Sequence, residues 1–239
     1  MNEIEKKYID YQQNKIKNHT NEQYKLISRG EFFGGWRFIS AAQCVCGTDR
    51  TATSQDREIL ARAKNEGWLL NSEKYISERL FASGGEAEVF YFDRKTDTLE
   101  KVFSYKAMEH EHDMPEKFLI RMALFNVTFP ETRLTLKGIA EMNNTHGNNL
   151  KFIFEQEFVA GKMVSEIINE LSEIEQQKLK NAFDVFMFQK GFSKDDNGVF
   201  FNEIFKVYDL HGGNVFVEIN ELEIPKYKFS VIDAITALK

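Results

Sequence analysis

The sequence predicts an α+β protein of two lobes behind an N-terminal helical extension. Three observations point there. Short runs of bulky residues at 89–92 and 152–154 suit the pleated, half-buried surface of a sheet. Between residues 80 and 158 the order strand, strand, strand, helix, strand, strand can be read from period-two runs and turn residues. Helical periodicity flanks that block, sparsely before it and densely over 163–188. A chain of 239 residues, 42% apolar and 13% aromatic, can bury the core that two such lobes need.

Residues 1–78 form the extension. Apolar residues at Ile4, Tyr8, Tyr11, Ile16, Tyr24 and Ile27 fit one or two amphipathic helices. Gly34 and Gly35 interrupt them, and Ser54-Gln55-Asp56-Arg57-Glu58 reads as the capped start of a helix ending near Gly67. Residues 79–159 form the first lobe, a five-stranded antiparallel sheet with one helix. A glycine turn at Ser83-Gly84-Gly85 precedes a strand at 88–92, a polar turn at 93–98 and a strand at 99–103. Pro115 opens a helix through Phe125, since a first-turn proline loses no hydrogen bond, and strands at 133–139 and 150–158 follow. Residues 160–239 form the second lobe, with Val164, Ile167, Ile168, Leu171, Leu179, Phe183 and Phe186 at helical spacing. Strands at 214–219 and 229–232 close it.

Composition excludes several classes. A formal charge of -6 argues against a general nucleic-acid binder, which needs excess Lys and Arg to displace counterions. No apolar run approaches the roughly 20 residues of a spanning helix, and the amino-terminal residues lack a signal-peptide core. Two cysteines, Cys44 and Cys46, stand too close in sequence for a disulfide framework, so a reducing cytoplasm is expected.

Four features carry chemistry. Gly84, Gly85, Glu86 and Ala87 lie between two expected strands, where backbone N–H groups can fold over phosphates, though a Gly-Gly pair also makes an ordinary hairpin turn. Lys101 shares a strand face with Leu99 and Phe103, and a lysine on an apolar face either meets an anion or snorkels to an edge. Asp209 and Asn214 stand five apart in a glycine-containing loop, the spacing at which an acid addresses a substrate hydroxyl while an amide reaches a metal. Asp233 ends the apolar run 229–232, well placed to hold Mg²⁺ against phosphate oxygens.

Taken together these residues resemble the protein-kinase-like superfamily, in particular small bacterial branches related to aminoglycoside phosphotransferases and to the kinases of polyvalent proteins on mobile elements. Asp209-Leu210-His211-Gly212-Gly213-Asn214 resembles the D-L-H-P-G-N loop of those branches, Val231-Ile232-Asp233 their V-I-D strand, and residues 154–161 their interlobe hinge. The resemblance covers about residues 80–239. It implies an ATP-dependent kinase using Mg²⁺ or Mn²⁺ that passes the terminal phosphate to a hydroxyl of a protein or a small molecule. It makes Asp209 the base or hydroxyl-orienting acid, Asn214 and Asp233 the metal ligands, and Lys101 the partner of the inner phosphates. The hinge backbone at Gln156, Glu157 and Phe158 would meet adenine. Glu116 would pair with Lys101, with Glu109 and Glu111 as competitors.

Departures from the pattern are Tyr208 before Asp209, Ala87 in place of a third glycine, and only residues 234–239 after Asp233, hence the shortened second lobe. They keep open a second reading, a pseudokinase that binds nucleotide or a partner without catalysis. Other signals read as structure: the 193–198 segment as a turn, the Cys44/Cys46 and His110/His112 pairs as no zinc site, and Phe183, Phe186 and Phe188 as core.

Overall fold

The computed structural model describes residues 35–45, 51–75, 80–84, 87–90, 97–105, 114–144, 147–203, 205–222 and 225–238. The helices expected within 3–28, and Gly85, Glu86, Glu109 and Glu111, lie outside the described residues. The chain divides into two compact units, one of Met1–Val127 and Arg133–Phe158, the other of Thr128–Thr132 and Val159–Lys239.

The first unit opens with helix α1 (Trp36–Val45), which follows Gly35 in a left-handed conformation and buries Phe38, Ala41, Ala42 and Val45. Helix α2 (Ala52–Glu66) is capped by Thr51, whose side chain accepts from the Ser54 N–H, and ends where left-handed Gly67 donates to the Ala63 carbonyl. The start is therefore Thr51, not Ser54. A free hydroxyl acceptor facing the first turn decides the cap, and both residues offer one. Arg62, Glu66 and Ser40 tie α2 to α1, with Ser40 donating to Glu66 at 2.6 Å.

Strands β1 (Leu80–Ser83), β2 (Ala87–Phe90), β3 (Thr98–Phe103), β4 (Thr135–Asn144) and β5 (Gly147–Glu157) make one antiparallel sheet in the order β1-β2-β3-β5-β4. Helix α3 (Pro115–Thr128) lies in sequence between β3 and β4, giving the order expected from the sequence. Alternation sorts the side chains onto two faces. On one, Phe103, Phe152 and Phe154 pack with Phe118 of α3 and Phe38 of α1, ring centroids 4.9 to 6.3 Å apart. On the other, Phe90, Val102, Ala140 and Ile153 pack with Tyr75 from a 3-10 turn, Ser72–Tyr75.

Gly138 lets the segment after α2 reach the sheet. A Cβ there would lie 2.3 Å from the Trp68 carbonyl oxygen, and the space serves two backbone bonds, Ile139 N–H to Trp68 and Leu70 N–H to Ile139. Gly138→Ala should cost about 3 kcal/mol, the upper end for forcing an added carbon into a packed site. A urea unfolding midpoint unchanged from wild type would show that this crossing has no weight.

In the second unit the helix expected over 163–188 is split into α4 (Val164–Ile167), a 3-10 turn Ile168–Glu170, and α5 (Glu173–Gln189). Ser172 starts α5 afresh, exchanging hydrogen bonds with Glu175 in a capping box. Short strands β6 (Lys162–Met163), β10 (Val215–Ile219) and β11 (Tyr227–Val231) form a three-stranded sheet in the order β11-β10-β6. A four-stranded one, β12-β9-β8-β7, joins β7 (Ser193–Lys194), β8 (Phe200–Phe201), β9 (Phe205–Tyr208) and β12 (Ile235–Leu238). The 193–198 segment is the turn of the β7–β8 hairpin, with Asp195 accepting from Asn197 and Val199 N–H and Gly198 at φ 82. Phe183 and Phe186 pack on Phe229, whereas Phe188 is half-exposed and only edges onto Phe200. Among the described residues no helix is long and apolar enough to cross a membrane. The fold is α+β.

Candidate active site

In the first unit Lys101 stands mid-strand in β3, opposite Val89 of β2 and Phe154 of β5, and is 3% exposed. Period two puts it on the face of Phe103, against which α3 packs, because the register pairs both with the aromatic residues of β5. Glu116 lies in the first turn of α3, its N–H donating to Gln55 Oε1 at 3.2 Å. At the glycine turn Gly84 donates to the Ala87 carbonyl at 2.9 Å, closing the β1–β2 hairpin, and Ala87 is buried. At the end of β5 Gln156 is buried opposite Leu99, Glu157 is exposed opposite Thr98, and Phe158 is about half-exposed. The Phe158 N–H donates to the Asp97 carbonyl at 2.6 Å, which fixes where the chain leaves the sheet.

The neighbour of Lys101 faces the other way. Glu100, 5% exposed, accepts from Lys74 at 2.8 Å, Lys137 at 2.5 Å and the Tyr75 hydroxyl at 2.7 Å. Burial alone would raise its carboxyl, but the hydrogen bonds from Lys137, Lys74 and Tyr75 outweigh it and hold the group below the ordinary carboxylate value. Burial first, then the Glu100 hydrogen bond, pushes the Tyr75 phenol well above its usual range, so it stays a donor.

In the second unit backbone register gathers the other residues. Strand β9 pairs with β12 so that Tyr208 opposes Ile235, which brings Asp209 and Asp233 to adjoining ends of one ladder. Strand β10 pairs with β11 so that Val215 opposes Val231, and the Ile232 N–H donates to the Asn214 carbonyl at 3.0 Å. Asp233 thus follows a residue bonded to Asn214. Asp209 takes φ 61, a left-handed conformation that Asp tolerates better than most residues, and this turns the chain out of β9.

The Asn214 amide Nδ2 donates to Asp209 Oδ2 at 3.1 Å and to the Asp209 carbonyl at 2.9 Å, spanning the loop. With Nδ2 so used, the acceptor Oδ1 is left for a ligand. An amide oxygen and the Asp233 carboxylate are hard oxygen donors of the kind Mg²⁺ and Mn²⁺ take, so the residues fit such an ion. His211 Nε2 lies 3.5 Å from Asp209 Oδ1, while His211 Nδ1 accepts from the Gly213 N–H at 3.0 Å. A neutral imidazole therefore carries its proton on Nε2, toward Asp209. From below, the Ser165 N–H of α4 donates to the Gly212 carbonyl at 3.0 Å, an approach so close that a Cβ on Gly212 would meet Ser165 N at 2.8 Å.

His211, Ser165 and Glu100 escaped the sequence reading. The first had a signal, its place inside the D-x-x-x-x-N spacing. The other two act through contacts that no local pattern encodes.

No curated protein and no solved structure matches the chain. A family model described as a serine/threonine/tyrosine kinase found in polyvalent proteins matches residues 53–239, a stretch that takes in α2, the five-stranded sheet and the Asp209–Asn214 loop. The chain belongs to this kinase family of polyvalent proteins.

Proposed function

We propose that the protein is an ATP- and Mg²⁺- or Mn²⁺-dependent phosphotransferase that passes the γ-phosphate to a hydroxyl on a protein or small molecule. The observation that carries this reading is the Asp209 to Asn214 loop, whose acid and amide are bound to each other beside the start of β12. The ion supplies charge neutralisation of the phosphates when bound. Asp209 orients the acceptor hydroxyl and takes its proton, with His211 beside the carboxylate. Asn214 and Asp233 present oxygens to the metal, and Lys101 with Glu116 addresses the inner phosphates. Backbone at Gly84–Ala87 covers the phosphates, and backbone at Gln156, Glu157 and Phe158 meets adenine. In this reading residues 79–159 hold the nucleotide, residues 160–239 carry the acid and the metal ligands, and residues 1–78 are an extension. A reducing cytoplasm, in a mobile-element setting, is the location this reading expects, and the Cys44 thiol, which donates to the Ser40 carbonyl at 3.3 Å, suits it.

Because a ligand that binds only the folded state raises its stability, Mg-ATP should lift the melting midpoint of wild type. In Asp233→Ala that lift should shrink to the level seen with ATP plus a chelator. Equal lifts in the two proteins would remove Asp233 from the metal site, and no lift in wild type would remove the nucleotide reading altogether.

A further inference from the structure

We propose that Gln55 and Asp56, neighbours on α2, are positioning residues for Lys101. The inference rests on the nucleotide reading above. Strand β3 carries Lys101 and ends at Phe103, and α3 packs on the face that the lysine shares. One turn of α2 grips both ends of the connection between them. At the near end the buried Tyr105 hydroxyl donates to Asp56 Oδ1 at 2.6 Å and Oδ2 at 2.7 Å. At the far end the Glu116 N–H donates to Gln55 Oε1 at 3.2 Å, so a side chain of α2 caps the first turn of α3.

The grip reaches the lysine through aromatic contacts. Phe118, two residues after Glu116, sits 5.7 Å from Phe103 and 6.1 Å from Phe154, ring to ring, and Phe154 is the residue opposite Lys101 in the ladder. The Tyr105 ring meets Phe152 at 6.1 Å. Shifting either end of the connection moves the wall against which the lysine is held.

The chemistry of Gln55 separates this role from packing. The residue is 0% exposed, and its Nε2 finds no hydrogen-bond partner among the described residues. A buried donor without a partner costs stability, and a methionine of similar shape would remove that cost along with the cap. Gln55→Met should therefore be close to neutral for folding while loosening α3. The family match begins at residue 53, so the matched stretch includes all but the first residue of α2, a helix of the extension.

The test uses the full chain and two ligands, Mg-ATP and adenosine, titrated calorimetrically into wild type, Gln55→Met, Tyr105→Phe and the double variant. A lost cap and a lost tether should each weaken Mg-ATP about fivefold, the effect of about 1 kcal/mol. Adenosine, which has no phosphate for Lys101, should bind within about twofold of wild type, and the double variant should fall short of the product of the single effects. Melting midpoints check folding, and if Gln55→Met melts far below wild type, Tyr105→Phe carries the comparison. Unchanged Mg-ATP affinity, or equal losses for both ligands, would overturn the positioning role and leave the nucleotide reading standing. Wild type that binds neither ligand would overturn both.

Discussion

Asp209→Asn should leave the affinity for Mg-ATP within a few-fold of wild type and cut phosphate transfer by about 10²- to 10⁴-fold, the usual contribution of a positioned base. The asymmetry follows from the loop geometry. Asn214 Nδ2 donates to the Asp209 backbone carbonyl as well as to its carboxylate, so the backbone bond survives the substitution and Asn214 keeps its place. The β9–β12 and β10–β11 registers do not involve the side chain at all. What is lost is the negative oxygen that, in the proposed phosphotransferase, accepts a proton from the attacking hydroxyl. Transfer of labelled γ-phosphate to a mixed protein acceptor, and to the chain itself, gives the readout. Wild type that binds Mg-ATP yet transfers no more than Asp209→Asn would move the protein to the pseudokinase reading.

Glu100→Gln should lower stability by about 2 to 3 kcal/mol. Removing one partner of a buried ionic group costs roughly 3 to 5 kcal/mol, and the estimate is discounted because the Lys74 and Lys137 side chains are 38% and 35% exposed and can turn back to water. For a chain of this size the melting midpoint should drop by roughly 5 to 10 °C. The Lys64–Glu141 pair offers the contrast, since at 4.0 Å, with side chains 55% and 36% exposed, separating it by Lys64→Gln should change little. A pH series sharpens the test. The folded Glu100 carboxyl is held below its unfolded value of about 4.3, so its contribution is complete above that pH and is lost as the pH falls through the folded value. Wild type should therefore lose stability on acidification below about pH 5 more steeply than Glu100→Gln. Parallel curves would show that the lysines and Tyr75 do not hold this carboxylate charged.

Much of the fold was legible because its signals are local. Pro115, Gly67 and the period-two runs mark their elements through φ preferences and side-chain alternation, which need no distant partner. The break at Ser172 was legible too, since Ser172 and Glu175 spell a capping box, but the apolar spacing that runs across it pointed to one continuous helix. Strands β9 and β12 were not legible. Each has four residues, too few for alternation to stand out, and each exists through pairing with a segment far along the chain.

The same division runs through the candidate site. The five-residue interval between Asp209 and Asn214, the place of Asp233 after an apolar strand and the parity that sets Lys101 beside Phe103 were determined by the sequence alone, because spacing and period are properties of a single segment. Only the tertiary structure decided that the β9–β12 and β10–β11 registers bring Asp209, Asn214 and Asp233 to neighbouring strand ends. It alone decided that Glu100 is buried among Lys74, Lys137 and Tyr75, and that Gln55 caps a helix 61 residues further along the chain. Those pairings join groups with no fixed interval in sequence, and a hydrogen bond or ladder partner becomes definite only when packing has closed the loop between them.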